Sequence, residues 1–395
     1  MHVPLRRRQV LELAALGAIS LAAGGPPPGK GWRKSNRSLR AGDFVRIGEM
    51  VTLTRSAAAP PPTPSGTVEG FGALVSGGED YAEVHVTNLN NSGAGSLREA
   101  LSAGNRRIVF DVAGTITFTS AMDVSFKSNL TIDGSTAPSP GITIGATGSV
   151  KTWPLLFIGC TNFIIRQIRF RDADRPGTGD NLTIKDGSTN FVVDHCSLEG
   201  GTDGLLDITT DCHDGTVQWC ILGPEGGGTV TLIAYNTQRV SYHHNLLYEG
   251  GSRQPQIGSS AQAETSGQIN GDVRCNLVWG PVGDIYGTAA SGAGQKANSV
   301  RNYYYLAPGR SGVGYANHSE LGAGIFASGC FDKRGGSTQP ADPIAEVAVV
   351  APFQITMEAT ATLAATAVLA DAGCRVGGLD ASDAAKIDAI NAEGL

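Results

Sequence analysis

Four stretches decide the fold: Asn162-Phe-Ile-Ile-Arg-Gln-Ile-Arg-Phe170, Asn190-Phe-Val-Val-Asp-His-Cys-Ser-Leu198, Asp214-Gly-Thr-Val-Gln-Trp-Cys-Ile-Leu222 and Gln238-Arg-Val-Ser-Tyr-His-His-Asn-Leu246. Each is a short β-rich run of alternating character. Their starts lie 28, 24 and 24 residues apart. Weaker copies follow at Val273–Leu277 and Val300–Tyr303, and one precedes them at Asn129–Asp133. A unit of this length, made of short strands and turns, suits a parallel β-helix whose coils stack on one another. A leucine-rich repeat would need its Leu consensus, and a propeller blade would need about 40 residues. The expectation is an all-β, right-handed parallel β-helix.

Aligning the stretches puts Cys196, Cys220, His244 and Cys275 in one column, and Ser197, Ile221, Asn245, Asn276 and Asn302 in the next. Successive Asn at one turn position suggest a stacked amide ladder, because each amide both donates and accepts. The open ends of such a solenoid need covering. Ser96-Leu-Arg-Glu99 has the form of a capping box and predicts a short N-terminal capping helix through Leu101. At the other end, 359–370 is Ala-rich and 380–390 has helical spacing, so 341–395 is read as a C-terminal flanking or capping segment around a β-helix domain spanning 67–340.

Composition agrees. The 395 residues include 54 Gly, only 6% are aromatic and 17% are charged, which favours short strands and tight turns over helix bundles. The net charge of −6 argues against a nucleic-acid binder and gives no global attraction to an anionic polymer, so an acidic substrate would need local cations or a bridging metal. The seven Cys lack the CxxC pairs of a zinc site and read as small buried hydrophobes. Arg6-Arg7-Arg8 and the weakly apolar stretch to Ala23 read as an export signal over 1–24, with Arg7-Arg8-Gln9-Val10-Leu11 similar to a twin-arginine motif. The apolar run is too short to span a bilayer. Residues 25–66, rich in Pro, Ser, Gly and Arg, read as a linker. The expectation is a secreted protein with no membrane span.

Further motifs carry a family resemblance. They are Phe71-Gly-Ala73 with Gly77-Gly78, Val86-Thr-Asn-Leu-Asn-Asn-Ser-Gly-Ala-Gly-Ser-Leu-Arg-Glu-Ala-Leu101, Arg107–Ile116, Asn129–Pro138, Asp194-His-Cys-Ser197, Tyr242-His-His-Asn245 and Arg253-Gln-Pro255. In this order they resemble the pectate lyase family of polysaccharide lyases, over roughly residues 66–310. The resemblance implies cleavage of α-1,4-linked polygalacturonate (pectin) by β-elimination, assisted by Ca2+. That chemistry needs a cation on the uronate carboxylate, a base for the C5 proton and support for the leaving oxygen.

The resemblance implies Asp180, Asp203 and Asp207 as calcium ligands, a set of hard oxygen donors of the kind Ca2+ prefers. It implies Arg253 as the catalytic residue at the transferring proton, although a guanidinium normally stays protonated. Asp194-His195 is read as structural. There are departures: Thr178 replaces a further Asp, with Asp172 and Asp174 nearby as reserves; Gly258 stands where a second Arg is expected; and Gly223–Thr229 lacks an expected Lys. Lys185 and His244 are taken as substrate-binding residues, with His243 and Arg310 as further compensating cations. Two alternatives stand beside the pectate lyase reading: a lyase for another uronate polymer, pectin lyase included, and a non-catalytic polysaccharide-binding β-helix. A monomer is expected.

Overall fold

The computed structural model describes residues 67–147, 153–171, 179–224, 228–259, 267–280, 288–305, 317–319, 323–333 and 343–395. The chain divides into two units, Met1–Ala58 and Ala59–Leu395, and all described residues belong to the second. The export signal, the whole of the linker, Asp172, Asp174, Thr178 and Arg310 therefore lie outside the described residues.

Among the described residues, three parallel sheets run side by side along the solenoid. The first has ten strands, from Glu83–Val86 to Gly324–Ser328. The second has nine, from Gly114–Phe118 to Phe331–Asp332. The third has eight, from Asp123–Ser125 to Asn317–Ser319. Apart from the first pair, Glu83–Val86 with Arg106–Phe110, strands adjacent within a sheet are three apart in sequence order, as coiling demands: Thr189–Asp194 pairs in parallel with Thr161–Arg166 on one side and His213–Gln218 on the other. Inward positions are apolar. Phe157, Phe163 and Phe191 stack through the core with centroids 4.5 and 5.8 Å apart.

The corner between the first and second sheets turns on one residue per coil. Gln167, His195, Trp219, His244, Cys275 and Arg301 all adopt the left-handed conformation there, with φ between 49° and 56°. The next position carries the amide ladder. Asn276 Oδ1 accepts from Asn245 Nδ2 at 3.0 Å and from the Asn245 main-chain N–H at 2.9 Å; Asn302 Oδ1 does the same for Asn276 at 3.0 and 2.9 Å. The expected ladder is present, but its alignment with the cysteines is one residue out. Cys220 N–H donates to Asn245 Oδ1 at 2.8 Å, so Cys196, Cys220 and the three Asn share a column, while His244 stacks on Trp219 and belongs with Cys275. The physical cause is an extra residue in one loop: 223–230 bridges where 199–205 does in the preceding coil, so Leu206 pairs with Thr231, 25 positions on, not 24.

The predicted capping helix forms at Leu97–Ala100, with Ser96 Oγ accepting from Glu99 N–H at 3.3 Å. The reciprocal bond lands one residue early, from Gly95 N–H to Glu99 Oε2 at 2.6 Å. The C-terminal helices Ala361–Asp371 and Ala381–Glu393 flank the solenoid and do not close its end. Ala361, Ala365, Val368 and Ile390 pack on Ile221, Leu246, Leu277 and Tyr303, on the outside of the second sheet. Arg169 ties the adjoining loop down through the carbonyls of Cys374, Val376 and Gly378.

The outside of the first sheet is strapped by the segment around Phe71. Phe71 N–H donates to Ser241 Oγ, Gly72 N–H to Thr216 Oγ1, Gly77 N–H to Asn162 Oδ1 and Gly78 N–H to Thr131 Oγ1. The strap thus crosses successive coils in reverse order. Residues 346–358 cover the later coils, through Glu346 on Arg274 and Val347 on Asn298. With these two faces covered, the outer face of the third sheet is the one that neither the strap nor the flanking helices pack on among the described residues.

Replacing Asn276 by Ala removes an acceptor that two buried Asn245 donors use and leaves the donors of that coil unpaired. A loss of roughly 2–4 kcal/mol is expected from two stranded donors, read as a lower denaturant midpoint. A shift within about 0.5 kcal/mol would show that the ladder contributes little.

Candidate active-site cleft

On the third sheet the inward and outward positions alternate strictly. Leu182, Ile184, Leu206, Ile208 and Ile233 enter the core, while Thr183, Lys185, Asp207, Thr209 and Leu232 face out. The parallel register stacks Leu156, Thr183, Asp207 and Leu232 in one outward file, and Lys185 above Thr209 in the next. A cleft of about 320 Å³ opens over these files and is lined by Asp180, Asp203, Asp207, Lys185 and Arg253, with Trp153 and Tyr235 among its walls.

Each acidic residue is placed by the loop or strand that carries it. Asp180 is buried just before the strand Leu182–Lys185, and its Oδ2 accepts from Thr183 Oγ1 at 2.6 Å. Asp203 sits in the loop one coil later, where its N–H donates to Gly179 O at 3.3 Å, and its side chain is exposed. Asp207 lies within the strand Leu206–Thr209, and its Oδ1 accepts from Leu232 N–H at 3.0 Å. Gly204 makes the convergence possible: a Cβ there would stand 2.8 Å from Asp180 Oδ1 and 3.3 Å from Asp207 Oδ1. Burial, then the charges of Asp180 and Asp203, push the Asp207 carboxyl well above the usual range, against opposing pulls from the Leu232 N–H and Arg253.

Arg253 comes from two coils beyond Asp207, in the lead-in to the strand Gln256–Ile257. Its carbonyl accepts from Thr231 N–H at 2.9 Å, and its φ of 59° is left-handed. Buried Gln254 braces the loop by donating to Gly250 O at 3.0 Å. Lys185 Nζ lies 3.4 Å from Asp186 and still lines the cleft. Mutually repelling carboxylates on hard oxygen donors fit a divalent cation such as Ca2+. Their oxygens are set wider than 4.8 Å as a trio, since among the described residues only His244, Cys275 and Glu358 meet that spacing. A cation between the Asp residues would thus have room for oxygens from a bound sugar acid.

His244 is not part of this cleft, and its assignment to substrate binding is corrected. It is buried at the corner between the first two sheets, with Nδ1 2.8 Å from His243 Nδ1 and Nε2 3.0 Å from Glu358. The corner residue of each coil points toward the flanking segments, away from the third sheet. His243 is equally enclosed, and burial holds its imidazole well below its usual value. Asp194 and His195 are buried and bonded at 2.6 Å; burial alone would lower His195, but Asp194 and Asp371 outweigh it and raise it to about 9. Thr183, Trp153 and Tyr235 are cleft residues that the sequence reading missed. Only Thr183 left a signal, three positions after Asp180 and opposite Asp207 in the repeat.

Gly258 explains why no second Arg stands in this coil. Its φ is 81°, and a Cβ would lie 2.3 Å from Ser291 O and 2.6 Å from Gln295 Cγ. The backbone of the next coil occupies the place where a side chain would begin.

No family model matches the chain. It is similar to curated proteins named probable pectate lyase C: that of Aspergillus terreus is 34% identical over 269 residues, 67% of this chain and 59% of that protein. That of Aspergillus fumigatus is 34% identical over 247 residues, 62% of this chain and 54% of that protein. The chain therefore spans between half and two thirds of the length of these relatives. Among solved structures, the major allergen jun a 1 from cedar pollen matches with a TM-score of 0.59 at 17% identity, over 78% of this chain and 92% of that one. A pectate lyase variant from Xanthomonas campestris matches with a TM-score of 0.51 at 17% identity, over 79% and 100%. The parallel β-helix fold is shared with these structures.

Two outcomes follow from the cleft. Because the Asp207 carboxyl is raised, the folded chain holds a proton that the unfolded chain releases near the ordinary carboxylate value. Metal-free stability should fall as pH rises from there through the raised value. Ca2+ held by these carboxylates would compete with that proton, so its effect on melting temperature should grow with pH, and Asp207→Asn should flatten both trends. A calcium shift equal at pH 5 and pH 8 would contradict this. Separately, Gly258→Arg should lower the melting temperature through backbone strain without improving polygalacturonate binding, as measured by thermal denaturation and retention on immobilised polymer.

Proposed function

We propose that this chain is a pectate lyase that cleaves α-1,4-linked polygalacturonate by calcium-assisted β-elimination. The observation that carries the reading is the convergence of Asp180, Asp203 and Asp207 with Arg253 and Lys185 in one open cleft on the uncovered sheet. Kinship with curated probable pectate lyases supports the same conclusion. Asp180, Asp203 and Asp207 hold the cation. Ca2+, when bound, neutralises the uronate carboxylate and makes the adjacent C5 proton more acidic. Thr183 fixes the Asp180 carboxylate, so the ligand oxygens keep their place as substrate enters.

Arg253, two coils beyond Asp207, is the group at the C5 proton. Lys185 and Arg253 supply the local positive charge that a chain of net −6 needs to hold a polyanion. Trp153 and Tyr235 line the cleft and supply aromatic surface for the sugar. Gly258 removes one cation from this wall, and the described part of 223–229 carries no Lys, so substrate binding is weak and leans on the metal. The reading includes export, with residues 1–24 as the signal, and a monomeric enzyme. The second reading, a polysaccharide-binding module without turnover, is favoured by the same depletion of cations.

One assay separates them. Ultraviolet absorbance of the unsaturated product is followed on polygalacturonate with Ca2+ and then with excess chelator. Calcium-dependent product is expected, and Arg253→Ala should lower the rate by roughly 10²–10⁴-fold with the fold intact. Retention of polymer with no product at any calcium level would leave the binding module as the surviving reading.

A further inference from the structure

A second cluster lies at the corner between the first two sheets, apart from the cleft. His244, Cys275 and Glu358 each present a ligand atom, all within 4.8 Å of one another. His244 and Cys275 occupy successive left-handed corner positions, so in-register stacking sets their side chains one above the other. Glu358 comes from the segment that flanks the solenoid, 83 residues beyond Cys275. Its carboxylate lies 3.0 Å from His244 Nε2, and Arg301 holds its main-chain carbonyl.

The surroundings orient the imidazole as a metal ligand would be oriented. The far nitrogen, His244 Nδ1, is engaged by His243 Nδ1 at 2.8 Å, and the ring is stacked on Trp219 at 4.3 Å. Such outer partners fix a ligand's tautomer and ring angle. A hydrogen bond between His244 and Glu358 would satisfy those two groups alone. Cys275 is brought to the same point by the register of its coil and also bonds to Glu358, so three different donor atoms converge on one place. Nitrogen, sulfur and oxygen donors together suit Zn2+ and not Ca2+, and three protein ligands leave a fourth tetrahedral place. The Glu358 side chain is 26% exposed, which gives an ion a route in.

We propose that His244, Cys275 and Glu358 form a Zn2+-type metal site that staples the flanking segment to the stacked coils. Metal-free, Cys275 is a thiol, because burial and the Glu358 carboxylate push it up to about 12. Binding therefore forms a metal–sulfur bond and releases the thiol proton to solvent. The site shares no residue with the cleft and stands independently of the lyase reading.

The test uses the full chain, stripped of divalent ions and titrated with Co2+ as a spectroscopic probe. One equivalent of thiolate-to-cobalt charge-transfer absorption is expected, lost in Cys275→Ser, displaced by Zn2+ and unchanged in Asp207→Asn. Zn2+ should raise the melting temperature of the unaltered protein and have no effect on Glu358→Gln. That variant can still accept the His244 hydrogen bond, so it separates metal binding from folding. An undiminished band in Cys275→Ser would overturn the site. So would a folded, unaltered protein whose spectrum ignores Co2+ and whose melting temperature ignores Zn2+.

Discussion

Everything functional in this chain depends on main-chain hydrogen bonds between coils about 4.8 Å apart. In-register parallel pairing puts Thr183 over Asp207 and Asp207 over Leu232. A residue's place in the cleft is thus set by backbone atoms of three coils. Asp180, Asp203 and Asp207 can repel one another and still hold position, because ladder bonds on both sides fix the strands and loops that carry them.

The same stacking produces different chemistry on each wall. At the amide column, buried Asn245, Asn276 and Asn302 satisfy their neighbours' donors, so polarity there stabilises the coil. Among the acidic residues of the cleft, which come from different register positions, no such reciprocity exists. Carboxylates accept only, and Asp207 has one main-chain donor against two neighbouring negative charges. Gly204 and Gly258 show how little space separates a working cleft from a blocked one. The first lets two carboxylates approach, and the second excludes a cation by bringing backbone against backbone.

The repeated β runs made the solenoid legible, because inward apolar and outward polar residues must recur at each coil. The Asn column was legible for the same reason. The slip at Cys220 came from a loop one residue longer than its predecessor, which a strict 24-residue count cannot detect. His244 was misplaced because alternation identifies a residue as facing in or out, but not which of three walls it serves. The strap around Phe71 left no periodic trace, since irregular backbone on side-chain hydroxyls has no repeat. Asp180, Asp203, Asp207 and Arg253 were found through family motifs, and the structure supplied Thr183, Trp153 and Tyr235 as their neighbours.

The strap has a bearing on how the chain matures. Phe71 and Ser241 are 170 residues apart in sequence, yet they bond directly. Glu69 reaches further still, to Thr356. An early segment must therefore wait, unpartnered, until much later coils have wound. Contacts of this separation close slowly, because the loop entropy is lost before the reward arrives. Once seated, the strap links coils that otherwise meet only their neighbours, so fraying from one end cannot pass it piecemeal. Persistence against proteases would then rest on how slowly the molecule opens.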